Sequence, residues 1–289
     1  MSSRTSTPAD PSATTSLPVW VSGRLLPADE ARVRATDHGL VAGGGVFESL
    51  KVTERGAFAV TRHLARLSRS AEALGLPEPD HDVVREAIDA VVAERDYDFG
   101  LLRITWTGGA GPLGSGRAFG PPTLVVAHAA VPQPPESTAV VTLPWSRNEH
   151  GAMTGVKTTS YGENIRGLAF AAEHGASEGI FLNTAGRVCE GTGANLFWVV
   201  DGEVVTSPLS SGALAGVTRA LVMEWADVVE RDVTLAEAQA AQEVFLTSST
   251  RDVQRVVRWD AGEYPADGPV TTRLRQVFAE RSAADWDPR

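Results

Sequence analysis

The segment Gly155-Val156-Lys157-Thr158-Thr159-Ser160-Tyr161-Gly162 decides how this chain is read. Its Lys157 is one of two lysines, with Lys51, among 26 basic residues, so the other 24 (26 − 2) are arginines. A chain that meets nearly every need for positive charge with arginine keeps lysine where a guanidinium fails. An amine can shed its proton and attack a carbonyl carbon, whereas guanidinium stays protonated. No acidic residue adjoins Lys157, a setting that suits a partly desolvated amine with a lowered pKa. A surface lysine is the competing reading, and the segment alone leaves both open.

Outward from this segment, composition narrows the class. The 289 residues are 43% hydrophobic and 21% charged, as expected of a soluble globular chain long enough for one large domain or two lobes. A net charge of −10 without a basic run argues against nucleic acid or an anionic membrane as partner. No apolar run is long enough to span a bilayer. Residues 1–17, rich in Ser, Thr and Pro, lack the apolar centre of a signal peptide and are expected to be a disordered tail. Cys189, the single cysteine, permits no internal disulfide, which fits a cytoplasmic location. One cysteine and six histidines without ligand spacing point to no metal site.

Periodicity and turn residues set the organisation. Val19–Val21 and Arg24–Leu26 flank Ser22-Gly23 as an opening hairpin, and Val46–Val52 with Ala57–Val60 form a second. A helix from Thr61 carries Leu64, Leu67, Ala71 and Leu74 on one face and ends at Gly75; another spans His81–Arg95. Strands Leu101–Thr107 and Thr123–Ala129 follow, joined by the glycine-rich loop 108–120. The Pro-rich stretch 131–138 reads as an interdomain linker. It divides a small N-terminal lobe, 18–130, from a larger one, 139–289. The second lobe opens with strand Ala139–Leu143. A helix over Glu163–His174 is expected to face Ile165, Leu168, Ala169 and Ala172 inward. Strands over Gly179–Asn183, Asn195–Val200, Glu203–Thr206 and Glu243–Thr247 and helices over Gly216–Val229 and Pro269–Arg281 complete it. Strands mixed irregularly with helices imply two α+β lobes rather than a doubly wound sheet.

Four segments are able to build one cofactor site, and Lys157 is the first. In Cys189-Glu190-Gly191-Thr192-Gly193-Ala194-Asn195, a carboxylate at a strand end could hold a ring nitrogen protonated, or be a solvated turn glutamate. In Leu214-Ala215-Gly216-Val217-Thr218-Arg219, the free N–H groups of Val217 and Thr218 suit a phosphate, or form an ordinary helix start. In Thr247-Ser248-Ser249-Thr250-Arg251, hydroxyls and amides either close the same cradle or make a polar turn. Arg62, Arg66 and Arg69 are expected on the helix face opposite Leu64 and Leu67, a solvated face from which one arginine could reach a phosphate. Gly43-Gly44-Gly45 permits close backbone approach but lacks the lysine of a P-loop.

From Val19 onward the chain resembles the class IV, fold-type IV pyridoxal-phosphate enzymes: branched-chain and D-amino acid aminotransferases, (R)-amine transaminases and aminodeoxychorismate lyases. The resemblance rests on Asp37-His38-Gly39 through Gly45-Val46-Phe47-Glu48, on His63-Leu64-Ala65-Arg66-Leu67, and on Lys157 followed by Glu178-Gly179-Ile180. Glu190 through Phe197 and Gly216-Val217-Thr218-Arg219 complete it. It implies an α+β fold of two lobes, the larger with a barrel-like sheet, and pyridoxal 5'-phosphate as cofactor. Lys157 is the implied Schiff-base lysine and proton shuttle, and Glu190 the pyridine-nitrogen partner. Arg66, Val217, Thr218 and Ser249 are the implied phosphate cup, and Tyr161 falls near the cofactor's phenolic oxygen. The family also implies a homodimer acting on a small amino donor and a keto acid.

Two departures narrow the substrate. Ala42 stands where branched-chain enzymes carry a pocket tyrosine. Gly108 stands where many D-amino acid enzymes and lyases carry an arginine, which in the D-amino acid enzymes serves the substrate carboxylate. Arg251 is the first candidate for that carboxylate and Arg103 the second, with Thr250 as a further substrate-binding candidate; either arginine fits a structural one as well. The expected reaction is transamination between a D-amino acid or (R)-amine and pyruvate or 2-oxoglutarate. Aminodeoxychorismate lyase, releasing pyruvate and 4-aminobenzoate, is the alternative, and a non-catalytic binding protein on the same scaffold a remote one.

Overall fold

Strand pairing parts the chain into two sheets. The computed structural model describes residues 17–116 and 120–289, so the tail expected over 1–17 lies, except for its last residue, outside the described residues. The first sheet takes β1 (Pro18–Val21), β2 (Arg24–Pro27), β3 (Gly45–Thr53), β4 (Gly56–Ala57), β5 (Phe99–Thr107) and β6 (Thr123–Ala130) in the order β2-β1-β6-β5-β3-β4. Every pairing in it is antiparallel. Helices α1 (His38–Val41), α2 (Val60–Ala73) and α3 (His81–Ala93) accompany it. Leu64, Leu67 and Ala71 of α2 and Val84, Ile88 and Val91 of α3 close one core with Leu50, Leu102, Ile104 and Val126 of the sheet. The second hairpin is shorter than its residues predict: β4 stops at Ala57, and the chain turns into α2 through Ala59, which adopts φ +54°.

The second sheet takes β7 (Ser137–Arg147), β8 (Glu178–Asn183), β9 (Val188–Gly191), β10 (Asn195–Val200), β11 (Glu203–Thr206), β12 (Val228–Glu230), β13 (Glu243–Ser248) and β14 (Asp252–Trp259) in the order β12-β11-β10-β13-β14-β7-β8-β9, with β15 (Gly262–Glu263) on β14. It is mixed, with parallel pairs β11/β12, β14/β7 and β7/β8. Helices α4 (Gly162–Glu173), α5 (Val217–Trp225), α6 (Leu235–Gln239) and α7 (Pro269–Ala284) accompany it. The architecture is α+β. Helix α5 ends earlier than predicted, because Ala226 turns extended and Val228–Glu230 joins the sheet.

One helix is turned the other way from its predicted packing. The inward residues of α4 are Asn164, Gly167 and Ala171, while Ile165 and Leu168 are 64% and 41% exposed. The cause is how close the helix lies to its neighbours. A Cβ on Gly167 would stand 2.6 Å from Thr192 Cγ2 and 3.0 Å from Leu143 Cδ1, leaving no room for a branched side chain. Asn164 earns its buried place by donating from Nδ2 to the Thr192 carbonyl at 2.5 Å.

The second lysine joins the lobes. Lys51 Nζ on β3 pairs with Asp252 on β14 at 2.7 Å, and sits over the rings of Phe58 and Trp286 at 4.9 and 5.6 Å. Lys51 therefore has a structural reason to be present, and Lys157 is the lysine left for chemistry. Among the described residues no helix is long and apolar enough to cross a membrane.

Candidate active site

The Lys157 segment lies along the start of β3. Phe47 N–H donates to the Lys157 carbonyl at 2.9 Å, and Thr159 N–H to the Gly45 carbonyl at 2.8 Å. The run Gly43-Gly44-Gly45 makes this approach possible: Gly43 has φ +65°, and a Cβ there would collide with Ser160 Oγ. Lys157 is thus fixed between the lobes, its ammonium 4.4 Å from the centre of the Phe47 ring. Burial, then the nearby Arg66 charge, lowers its pKa to about 8. Near neutral pH a useful fraction of this amine is unprotonated.

A cavity of about 420 Å³ opens beside it, lined by residues of all four predicted segments. Glu190 reaches it from the end of β9, the strand that the glycine-rich turn 191–194 follows. Its Oε2 accepts the Leu214 N–H at 2.8 Å, and its Oε1 lies 3.9 Å from Arg147 Nη2. Burial raises the Glu190 pKa, against the opposing charge of Arg147. Tyr161 donates to the Thr192 carbonyl at 3.2 Å, and burial, with Glu190 and Glu178 nearby, pushes its pKa to about 12, so it remains a neutral phenol.

Val217 and Thr218 open α5 at the same wall, and Gly216 at the N-cap supplies no side-chain cap. Two further features fit an anion there. A Cβ on Gly216 would run into Asn195 Oδ1, so the backbone at the cradle must be glycine. Thr247 Oγ1, on a residue of the same wall, is buried with no hydrogen-bond partner among the described residues. Ser249 and Thr250 line the wall from the turn between β13 and β14. A helix start with uncapped N–H groups, hydroxyls and a nearby guanidinium is the donor set for a phosphate ester.

Arg66 belongs to this set but not to a solvated face. It is buried on the inner side of α2 with His63, Leu67 and Ser70, while Arg69 is exposed and Arg62 pairs with Glu224 at 2.6 Å. The physical reason is Glu48, a carboxylate on the facing strand β3. Arg66 Nε and Nη2 donate to its two oxygens at 2.8 and 2.7 Å, and Nη1 donates to the Ala215 carbonyl at 3.0 Å.

The two candidates for a substrate carboxylate change order. Arg251 lines the cavity, but Glu178 Oε2 holds its Nη2 at 2.9 Å and Gln254 Oε1 its Nη1 at 2.7 Å. Glu178 is itself tied to the glycine-rich turn, accepting from Gly193 N–H at 2.8 Å and from the Thr192 hydroxyl. Arg251 is therefore a strut between two turns. Arg103, from β5, lines the same cavity with its guanidinium carbon 3.3 Å from the Phe47 ring centre. Its guanidinium has no hydrogen bond or ion pair among the described residues.

Arg147 carries no sequence signal, and Glu48, Glu178 and the platform Phe47 lie in the segments that carry the resemblance but take no role from it. Glu48 carries a signal: a carboxylate inside the apolar run Val46 to Val52 needs a buried cation. Ala42 and Gly108 stay outside the residues lining the cavity.

The sequence model described as amino-transferase class IV matches residues 45–259. A bifunctional aminodeoxychorismate lyase / D-amino acid transaminase of Mycobacterium tuberculosis is 29% identical over 288 residues, covering 91% of this chain and 96% of that protein. The branched-chain-amino-acid aminotransferase of Escherichia coli is 28% identical, with 90% and 91% covered. Among solved structures, a fold IV transaminase from Curtobacterium pusillum superposes with a TM-score of 0.83 at 29% identity, covering 94% of this chain and all of that one.

Proposed function

We propose that this chain, which belongs to the class IV aminotransferase family, is a transaminase that takes the amino group of a small D-amino acid or (R)-amine and passes it to a keto acid such as pyruvate or 2-oxoglutarate. The cofactor of the family is pyridoxal 5'-phosphate, whose ring, when bound, supplies the electron sink for breaking a bond at the substrate's amine-bearing carbon. The observation that carries the reading is one cavity wall that joins a lysine of pKa about 8, a buried carboxyl and an uncapped helix start.

Each residue's part follows from its surroundings. Val217, Thr218, Ser249 and Arg66 bind and orient the phosphate end. Glu190 would hold the ring nitrogen protonated as its counter-ion, and Arg147 and the Leu214 N–H, which already contact it, would steady the carboxylate charge. Lys157 Nζ holds the cofactor at rest. As a free amine it would move a proton at the substrate carbon, which a group near half-protonation around pH 8 can do in both directions. Tyr161, whose phenol proton goes to the Thr192 carbonyl, would have to turn it toward the cofactor's phenolic oxygen.

Arg103 receives the substrate carboxylate. It is the cavity arginine without a carboxylate of its own, and the Phe47 ring under it keeps its planar fork near Lys157. A guanidinium held by stacking can also be left unengaged, which suits amines that lack a carboxylate. Gly108 leaves empty the arginine position of many D-amino acid enzymes and lyases, so the carboxylate falls to Arg103, and Ala42 departs from the branched-chain pattern at a position outside the cavity lining.

The outward apolar face of α4, with Ile165, Leu168 and the nearby Trp145, supports a homodimer. The lyase reading draws on the mycobacterial relative, whose name joins both activities.

Cofactor-loaded protein mixed with single D-amino acids, L-amino acids or (R)-amines tests the proposal by the pyridoxamine phosphate formed. D-alanine or an (R)-amine converting fastest supports it. L-leucine or L-valine converting faster than every D-acid and (R)-amine overturns it. Pyruvate and 4-aminobenzoate released from 4-amino-4-deoxychorismate, without pyridoxamine phosphate from any amine, installs the lyase.

A further inference from the structure

Behind the wall that carries Ser249 lie three ionisable side chains almost sealed from solvent: Glu48, His63 and Arg66, at 0%, 1% and 5% exposure. Glu48 Oε2 accepts from Arg66 Nη2 at 2.7 Å and lies 2.6 Å from His63 Nδ1. Burial alone would raise the Glu48 pKa; the charge and hydrogen bonds of Arg66, then those of His63, outweigh it and hold the carboxyl well below its usual range. Glu48 is therefore an acceptor only, and His63 Nδ1 must carry a hydrogen. That leaves Nε2 as the variable position of the ring. It lies 3.4 Å from Ser249 Oγ.

A serine hydroxyl has one proton to give. If Nε2 is bare, the Ser249 proton is spent on it and points away from the cavity. If Nε2 carries a proton, it donates to Ser249 Oγ, and the hydroxyl proton is free to point at an anion. The charged groups facing His63 are Glu48 from β3, Arg66 from its own helix and Lys157 from the segment before α4. Burial lowers its pKa most; Arg66 and Lys157 add to this, and Glu48 opposes without overcoming them. The imidazole is thus neutral near neutral pH until negative charge arrives on its Nε2 side.

We propose that His63 is a positioning residue of the phosphate cup, which takes up one proton from solvent at Nε2 when a dianion enters and so turns the Ser249 hydroxyl toward it. The only bond made is N–H at Nε2, and the proton comes from water. The inference rests on the reading of this wall as the phosphate site. It gives the cup a built-in preference for a dianion: an uncharged ligand offers nothing to charge the ring.

The test uses the full-length chain freed of cofactor, with sulfate as probe, a dianion that brings no proton of its own. Calorimetric titration at pH 7.5 in two buffers of different ionisation enthalpy counts protons taken up per sulfate. Wild type is expected to take up close to one, and His63→Gln close to none. Lys157 also titrates beside the cavity, so the comparison with His63→Gln separates the two groups. In wild-type protein labelled with ¹⁵N-histidine, which needs no variant to fold, the Nε2 resonance of His63 is expected to move from its unprotonated to its protonated position as sulfate saturates. Sulfate affinity should fall by up to about tenfold per pH unit in wild type beyond the fall seen in His63→Gln. Equal proton uptake in both proteins, or an unmoved His63 resonance at saturation, overturns the relay while leaving the cup. Failure of sulfate to bind at all overturns the cup itself.

Discussion

Replacing Arg66 by alanine separates two things that one guanidinium does. Toward the cavity, on the proposed reading, it would supply a charge-assisted contact to the phosphate, worth roughly 1.5–3 kcal/mol, or about 10- to 150-fold in cofactor retention. Toward the interior it neutralises Glu48, which has no exposure and whose two oxygens take Arg66 at 2.8 and 2.7 Å. Breaking a buried pair by removing one partner costs about 3–5 kcal/mol, because the remaining charge is stranded. Arg66→Ala should therefore lower the unfolding free energy of the cofactor-free chain by that amount, with His63 taking up a proton to blunt the loss. Replacing the whole pair, as Glu48→Gln with Arg66→Met, should recover most of the stability while retention stays weak. Urea unfolding of the cofactor-free proteins and dialysis of the loaded ones read the two effects apart. An Arg66→Ala protein as stable as wild type would refute the reasoning about Glu48, and one that keeps its cofactor as wild type does would remove Arg66 from the cup.

Glu190→Gln should leave the cofactor attached but cut turnover on the order of 10²-fold or more, since the neutral amide cannot protonate the ring; near-normal turnover with normal loading rules the role out. Arg103→Ala should raise KM for D-amino acids far more than for (R)-1-phenylethylamine, whereas Arg251→Ala should lower stability and harm both substrates alike; the reverse pattern returns the carboxylate to Arg251. A folded Lys157 pKa near 8 against 10.5 unfolded means that the unfolded chain binds more protons between those values. Stability of the cofactor-free chain should accordingly rise with pH across that window by an increment that Lys157→Met lacks, and an unchanged profile contradicts the lowered pKa.

The residues that meet at the cavity were legible because each marks its own place in the chain. Lys157 is rare among arginines, Glu190 precedes a glycine-rich turn, and Gly216 and Thr218 announce a helix start. What periodicity does not reveal is which side of an element meets which neighbour. In α4 the apolar spacing named Ile165 and Leu168 as the inner face, yet the approach of Thr192 and Leu143 admits only Gly167, Ala171 and a hydrogen-bonded Asn164. Arg66 was grouped with Arg62 and Arg69 because arginine prefers water; its partner Glu48 lies 18 residues away on another element, beyond any local pattern. Arg251 has the same history. Its sequence neighbours are cavity residues, while the carboxylate that holds it, Glu178, sits on a strand 73 positions earlier (251 − 178). Strand β14 escaped the alternation rule because Arg255 and Arg258 interrupt its apolar residues.

The central claim is that Lys157, and not Lys51, carries the cofactor. Borohydride reduction of the protein loaded with pyridoxal phosphate, followed by proteolysis and mass mapping, tests it most directly. The account predicts a pyridoxyl phosphate label on the peptide containing Lys157 and none on Lys51, which Asp252 holds at 2.7 Å among aromatic rings. A label on Lys51, or no label on a protein that retains pyridoxal phosphate, would contradict it.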